Sequence, residues 1–597
     1  MTRVFQTIEP SIESNDRIRE PQREAYRELK KFAEGGGNDR EVGIILPVGC
    51  GKSGTITISP FAFKARRALV VAPGLNIASQ LARDFDPSNS HMFYQKCAVI
   101  TDPPFPEPVE IRGTDSNRGD LEEADVVITN VQQLQGQDNR WLTSLPDDFF
   151  DLILFDEGHH SVAATWEAVK AKFPQARIVN FSATPLRADG QVMGGKVLYS
   201  YPIFKAIEAG YVKRLKALQL NPKTLKYVRR EDGQEIEVEL SEVIRLGEDD
   251  AGFRRSIVTS EETLNTVVDA SLRELDRLRG ASGDPRLKII ASALNYEHCL
   301  QVVQAYAARN RKAAFVHSRE DNAANERVMK RLDAHELDVI VQVRKLGEGF
   351  DHPHLAVAAV LSIFSNLSPF VQFVGRIMRV IKQNAPGDVI NNGTVVFHAG
   401  ANIARQWKDF RDFSQADQSY FDQLLPLEGL GEEDGASREY EPFAPPELPD
   451  VTGQSEVHLE EISLLTNEAA AAIALLKEQG IIQGDFDPGT QTLKPIPVTK
   501  VAARQAARQA LNSRVQLEAG RLLAKTKLSA EGRQLDRKFL GKSNYQIVAG
   551  ELHSRANALV GKGAGERSEL TQAELNTIEA GFADIVEGVE REVIRGG

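Results

Sequence analysis

Two short stretches hold the residue types that phosphate chemistry needs. In Val42-Gly43-Ile44-Ile45-Leu46-Pro47-Val48-Gly49-Cys50-Gly51-Lys52-Ser53-Gly54-Thr55 an apolar run ends in a glycine turn, then Lys-Ser and a helix start. Gly49 and Gly51, with Cys50 between them, let backbone amides approach phosphate oxygens. Lys52 reaches the β- and γ-phosphates, and the Ser53 hydroxyl ligates magnesium at a helix N-terminus. Leu46 stands where the full G-x-x-x-x-G-K-[ST] pattern has its first glycine, so the second half alone is matched. Further on, the apolar run Asp151 to Phe155 ends in Asp156-Glu157-Gly158-His159-His160. An aspartate at the carboxyl end of a buried strand holds the Mg²⁺ that bridges phosphates, and an adjacent glutamate positions and deprotonates the attacking water. This spelling assigns Asp156 to the metal and Glu157 as the base, with ATP and Mg²⁺ as cofactors. Gly-Lys-Ser and acidic strand-to-helix turns also occur without catalytic roles, so the weight rests on the order in which further motifs appear.

The elements that must carry these residues alternate. Ala68 to Pro73 reads as a strand, Asn76 to Phe85 as a helix, Val126 to Thr129 as a strand, and Ala176 to Phe181 as a strand delivering Ser182-Ala183-Thr184-Pro185. Such alternation implies a parallel sheet with helices on both faces. The hydroxyls of Ser182 and Thr184 are placed to bond the His159 region and couple the nucleotide site to the rest of the molecule. A helical pattern through Phe32 presents Gln22 to an adenine edge, with a plain surface glutamine as the competing reading.

The chain has 597 residues and a net charge of −12. Between Asp417 and Glu461, 13 acidic residues stand against Arg438 alone, so the remainder sums to zero and the acidic balance does not exclude a nucleic-acid partner. Pro442, Pro445, Pro446 and Pro449 lie in the same segment, which reads as a linker or solvated loop. Cys50, Cys97 and Cys299 fit neither a disulfide framework nor paired zinc spacing, as expected of a reducing cytoplasm without structural metal. The longest apolar stretch, Leu355 to Phe364, is too short to span a bilayer, and the N-terminal residues lack a signal-peptide core.

In this order the phosphate loop, the Asp-Glu-x-His and the Ser-Ala-Thr resemble a superfamily 2 helicase or translocase with a DEAH-type acidic motif, of the kind found in type III restriction motor subunits and related DEAD/DEAH-box proteins. The resemblance covers residues 15–405 and implies a second RecA-like domain, for which Lys288 to Ala291, Ala313 to Ser318 and Leu337 to Val343 supply strands. Leu346 to Pro353 is similar to the family's motif V, with Gly349 and Asp351 keeping the turn and a contact to ribose or to the facing domain. Val343 and Arg344 stand where family members often carry threonine. Gln372-Phe373-Val374-Gly375-Arg376-Ile377-Met378-Arg379 matches motif VI, Q-x-x-G-R-x-x-R. The resemblance implies a coupling role for Gln372, and Arg376 and Arg379, expected on one helical face, as catalytic groups reaching the γ-phosphate across a cleft. It also places Pro73, Gln80, Thr129 and Asn130 on segments that touch a sugar-phosphate backbone.

The fold class expected is α/β: two tandem RecA-like parallel-sheet domains with a C-terminal α-helical accessory domain. The expected boundaries are 1–205 for the N-terminal ATP-binding domain, 206–285 for a connector, 286–416 for the second helicase domain, 417–465 for the acidic linker and 466–597 for the helical domain. Helices are expected at 467–478, 501–527, 544–560 and after Thr571. Residues 491–570 hold 15 basic and 6 acidic residues, among them Arg504, Arg508, Arg514, Arg521, Lys525, Arg533, Arg537 and Lys538, which form either a phosphate-tracking surface or a solvated helix face. The expected function is an ATP-dependent nucleic-acid helicase or translocase, on DNA rather than RNA, in restriction, repair or antiviral defence. A nuclease or other effector subunit is an implied partner, and no membrane is. An ATP-switched clamp that does not unwind, and a P-loop enzyme of small molecules, are the rival readings.

Overall fold

The computed structural model describes residues 3–35, 39–89, 91–111, 118–135, 139–157, 163–183, 195–229, 233–343, 352–364, 367–415, 450–464, 500–537, 541–563 and 570–596. Strands β1 (Glu41–Ile45), β2 (Ala68–Ala72), β3 (Pro108–Glu110), β4 (Val126–Asn130), β5 (Leu152–Asp156), β6 (Arg177–Ser182) and β7 (Lys196–Ser200) form one sheet, in the order β3-β4-β2-β5-β6-β1-β7. Every pairing in it is parallel. Strands β2, β4 and β5 are buried along their whole length, as their unbroken Val, Ile and Leu runs require when helices cover both faces. Parallel strands need crossovers, and the residues at their carboxyl ends collect along one edge.

Ten more strands follow: β8 (Arg214–Pro222), β9 (Thr224–Val228), β10 (Glu235–Glu239), β11 (Lys288–Ser292), β12 (Ala313–Val316), β13 (Val339–Gln342), β14 (Leu355–Val360), β15 (Asn392–His398), β16 (Asp450–Gln454) and β17 (Val457–Ser463). The second sheet runs β12-β13-β11-β14-β15-β8-β17, parallel throughout except that β17 is antiparallel to β8. A small antiparallel sheet, β10-β9-β16, lies beside it in sequence.

Two expectations about the segments between domains are corrected here. The stretch 206–285, read as connector, gives β8 to the second sheet, and the stretch 417–465, read as acidic linker, gives β16 and β17. The polar side chains that made both look solvated meet across the β8–β17 ladder: Lys216 Nζ lies 2.8 Å from Glu461, and Asn221 donates to Glu460 at 2.8 Å. An edge strand with one face covered alternates polar and apolar residues and so reads as a weakly patterned loop.

The helices Lys500–Lys525, Asn544–Leu559 and Gln572–Val589 pack around a core of their own that includes Val515, Leu522, Val548, Leu552, Ile578 and Phe582. Capping boxes at Ser543 and Thr571 start the second and third of them. The helix expected at 467–478 lies outside the described residues. Arg514 bridges from this bundle to Glu297 of the second sheet's Tyr296–Ala307 helix at 3.1 Å. Arg508 donates to the Leu570 carbonyl, Arg521 pairs with Glu518, Lys525 with Glu590, and Arg537 donates to the Gly596 carbonyl at 3.3 Å, so among the described residues five of the eight basic groups named above have partners within the protein. Among the described residues no helix is long and apolar enough to cross a membrane.

Candidate active site

Sheet order places three motifs side by side. Strands β5, β6 and β1 are neighbours, and their carboxyl ends are Asp156, Ser182 and the turn that begins at Leu46. Backbone bonds lock the register at this edge: Leu46 N–H donates to Ser182 O at 2.9 Å, and Glu157 N–H to Phe181 O at 2.8 Å.

The phosphate loop then turns sharply. Gly49 and Gly51 both have φ of 92°, in the left-handed region that an L-residue adopts only at a cost. A Cβ on Gly49 would stand 2.9 Å from Tyr211 O, and one on Gly51 would stand 2.5 Å from Gln22 Nε2. Lys52 opens the Lys52–Ala62 helix, so the first N–H groups of that helix face outward with no intrahelical acceptor, as anion binding requires. Lys52 Nζ lies 2.9 Å from Asp156 Oδ1 and is also paired with Glu157.

Glu157 is held tightly. Ser182 Oγ donates to its Oε2 at 3.0 Å, Ala183 N–H donates to Oε1 at 3.2 Å, and its backbone sits at φ 52°. A non-glycine residue in that region costs about 1–2 kcal/mol, a strain found where surrounding structure fixes a functional side chain. Cys50 is fully buried, and burial pushes its thiol up to about 12, so the residue contributes its backbone and not its sulfur. Gln22 is buried too: its Oε1 accepts from Arg19 N–H at 3.0 Å and its Nε2 donates to Gly51 O at 2.9 Å, bracing the cradle from behind. One N–H and one lone pair of the carboxamide are left for a base edge.

The arginine segment departs from its expected form. The helix Leu367–Gly375 ends before Arg376, so Arg376 and Arg379 do not share a helical face. Arg379 pairs instead in an isolated antiparallel bridge with Val212, and Lys213 N–H donates to Met378 O at 2.6 Å. These long-range backbone partners capture the chain where helix propensity would have continued it. The same bridge brings the segment to the phosphate loop, because Tyr211 and Val212 also back Gly49, while Gly375 lies against Val48 with room for a Cβ only at 3.1 Å. Gln372 lies on the last turn of the helix.

Sequence reasoning missed Arg19 and the stretch Tyr211-Val212-Lys213. The Arg19 guanidinium bonds the Gly49 carbonyl, stands 5.4 Å over the Tyr211 ring and reaches Gln383 of the second unit at 3.4 Å. Its neighbours Pro21 and Gln22 signalled a helix start, but nothing local signalled a contact 30 residues away. Lys213 is fully buried, and its Nζ donates to Pro353 O at 2.7 Å and Leu355 O at 2.8 Å. Burial pushes this amine down to about 7, opposed by Asp284. An unfolded lysine titrates near 10.4, so between pH 7 and 10 the unfolded chain binds the extra proton and stability rises with pH. The unfolding free energy of the parent minus that of Lys213→Met is expected to rise by about 2 kcal/mol from pH 7 to pH 9. Chemical denaturation at the two values checks this, and a pH-independent difference contradicts it.

Of the residues expected to touch nucleic acid, Gln80 is exposed and Pro73 half-buried at the carboxyl end of β2. Thr129 and Asn130 are buried at the end of β4, where the Asn130 side chain caps the following turn by accepting from Gln133 N–H at 3.0 Å. Gln132 Nε2 donates to Pro73 O at 3.2 Å and ties the two segments together. His159, Thr184, Gly349 and Asp351 lie outside the described residues.

Comparison with known families follows the same division of the chain. A family described as type III restriction enzyme, res subunit, matches residues 15–187, and one described as helicase conserved C-terminal domain matches residues 276–381. With these two matches the chain is similar to superfamily 2 helicases. That superfamily is one of ATP-hydrolysing enzymes, and the chain resembles restriction motor subunits. A protein provisionally called helicase 22 in the Sulfolobus islandicus filamentous virus is 22% identical over 268 residues, 40% of this chain and 43% of that protein. The chain thus matches less than half of that viral relative's length. The DNA 3'-5' translocase XPB2 of Sulfurisphaera tokodaii is 21% identical over 399 residues, 62% of this chain and 80% of that protein. Among solved structures, a fragment provisionally assigned as the HsdR subunit of a type I restriction enzyme from Vibrio vulnificus YJ016 aligns with a TM-score of 0.43 at 17% identity, over 66% of each chain.

Proposed function

We propose that this chain is an ATP-driven motor that translocates on or unwinds nucleic acid, with DNA as its track. The observation that carries the reading is the joining of Lys52, Asp156, Glu157 and Ser182 at one sheet edge, with the Arg376 to Arg379 segment of the second unit laid against the same loop. In this reading Lys52 and the helix N-terminus take the β- and γ-phosphates. Ser53 and Asp156, a hydroxyl and a carboxylate, suit Mg²⁺, which when bound neutralises charge on the phosphates. Glu157, held by Ser182 and Ala183, accepts the proton of the attacking water, and Arg376 and Arg379 stabilise charge on the transferring phosphoryl group. Gly349 and Asp351 serve as contacts to ribose or to the facing domain, and His159, Thr184 and Gln372 as the groups that couple hydrolysis to the track.

The phosphate loop and the arginine segment touch the shared stretch Tyr211 to Lys213, so changes at the nucleotide have a short path between the two sheets. Pro73 and Gln80 contact a sugar-phosphate backbone, with Thr129 and Asn130 shaping that surface from beneath; such contacts position a strand without selecting its sequence. The role of the Sulfurisphaera relative as a DNA translocase supports DNA. The functional units in this account are residues 1–205 and 286–416, the latter completed by β8 and β17, with 466–597 as the accessory domain. Restriction, repair or antiviral defence in the cytoplasm, alongside a nuclease or other effector subunit, is the setting that fits such a motor.

ATP hydrolysis measured with single-stranded, duplex and forked DNA and with RNA tests the reading. Stimulation by DNA exceeding that by RNA is the expected result, and the absence of stimulation by any polymer favours a small-molecule P-loop enzyme. Stimulation without strand displacement or movement along DNA favours the ATP-switched clamp.

A further inference from the structure

Three histidines distant in sequence converge at the amino-terminal edge of the second sheet. His335 lies in the turn between the Asn322–Asp333 helix and β13, while His352 and His354 flank Pro353 just before β14. One ring nitrogen from each lies within 4.8 Å of the others, and the ring centroids are 4.8 to 5.7 Å apart. The Nε2 of His352 is 3.3 Å from the Leu332 carbonyl. A proton donated there leaves Nδ1 with its lone pair, and a backbone carbonyl fixing the far nitrogen is the usual support of a metal-binding imidazole. Among the described residues, His352 Nδ1 and His354 Nε2 are buried and have no hydrogen-bond partner.

Two cations and two carboxylates surround the cluster. Burial holds all three imidazoles below their ordinary range, aided by Lys288 at His335 and His352 and by Arg286 at His335 and His354. The two cations are themselves engaged. Lys288 is pushed down to about 8 and donates to Leu337 O at 2.7 Å, while Arg286 forks onto Asp284 at 2.8 and 2.9 Å. Asp284 stands 3.9 Å from His354 Nε2, and Asp333 adds negative charge near His335 and His352.

We propose that His335, His352 and His354 form a site for a divalent transition-metal ion of the zinc class, with Asp284 as its neighbouring carboxylate. Imidazole nitrogens suit this class, whereas calcium and magnesium prefer oxygen. Zinc-to-nitrogen distances of about 2.0–2.1 Å imply nitrogens roughly 3.4 Å apart in a tetrahedral site, a closure that rotation of the exposed His335 ring accommodates. The fourth position falls to water or to Asp284. The ion joins the turn before β13 to the segment 352–354, whose first two residues end the motif V stretch and which is gripped through Pro353 by Lys213. Its role is that of a staple, set apart from the phosphate loop.

The test uses the full chain stripped with a chelator, then titrated with Zn²⁺ against a chromophoric competitor and with Co²⁺ followed by its visible absorption. The expected result is about one equivalent of tightly held metal, a Co²⁺ spectrum of tetrahedral intensity and a Zn²⁺-dependent rise in thermal midpoint. His335→Ala and His354→Asn are each expected to weaken binding by about 100-fold or more, since even losing a supporting partner costs up to that. His91→Ala, at an exposed histidine of the first unit, is expected to change nothing. Absence of stoichiometric binding by the parent, or equal affinity in His335→Ala and the parent, overturns the proposal. His335 is exposed, so its variant decides the matter even if His354→Asn fails to fold.

Discussion

Glu157→Gln is expected to bind ATP as the parent does and to hydrolyse it about 10²–10⁴-fold more slowly, the range that a positioned general base contributes. That loss corresponds to about 3–5 kcal/mol of barrier. Three features concentrate the effect on chemistry. Glutamine keeps the size of the side chain, its oxygen still accepting from Ala183 N–H while its amide N–H donates to a reoriented Ser182 hydroxyl; Asp156 remains 2.9 Å from Lys52; and the loop that takes the phosphates is untouched. Single-turnover hydrolysis alongside equilibrium binding of a fluorescent ATP analogue separates the two steps. Turnover near the parent rate in this variant removes the water-activating role from Glu157.

The second large effect is expected from the other side of the cleft. Arg376→Ala and, separately, Arg379→Ala should lower turnover by about 10³–10⁵, the range of an arginine acting on a transferring phosphoryl group. At about 1.36 kcal/mol per decade this is roughly 4–7 kcal/mol, more than surface charge effects supply. Nucleotide affinity should change by about tenfold at most, because Lys52 and the helix N-terminus carry the ground-state phosphate binding. The Val212 bridge to residue 379 is made by backbone and survives both substitutions, so the thermal midpoint should hold. A fall in stability parallel to the fall in activity assigns the arginines to folding instead.

These effects differ in how far the sequence foretells them. Lys52, Asp156 and Glu157 are legible because strand runs and glycine turns are local patterns, and sheet order then brings their ends together. The arginine motif is legible in type but not in form: a spacing of three suggests a helix, whereas pairing with Val212, remote in sequence, decides the backbone. The strands β8 and β17 escape notice because their charges look solvated until Lys216 meets Glu461 across the ladder. Arg508, Arg514, Arg521 and Lys525 suggest a phosphate-tracking face by count, yet their partners lie within the bundle or on the second unit. The histidine cluster is invisible to any local pattern, since a turn and a strand entry meet only in the folded sheet.

In the proposed motor the Lys52 loop is the seat of nucleotide chemistry that the arginine segment completes. The rate of ATP hydrolysis by the full chain in the presence of DNA, compared between the parent and Lys52→Ala, tests it most directly. DNA-stimulated turnover is expected in the parent, and loss of both that turnover and tight ATP binding in the variant. Equal hydrolysis by the two proteins, or none by the parent with any nucleic acid, would contradict it.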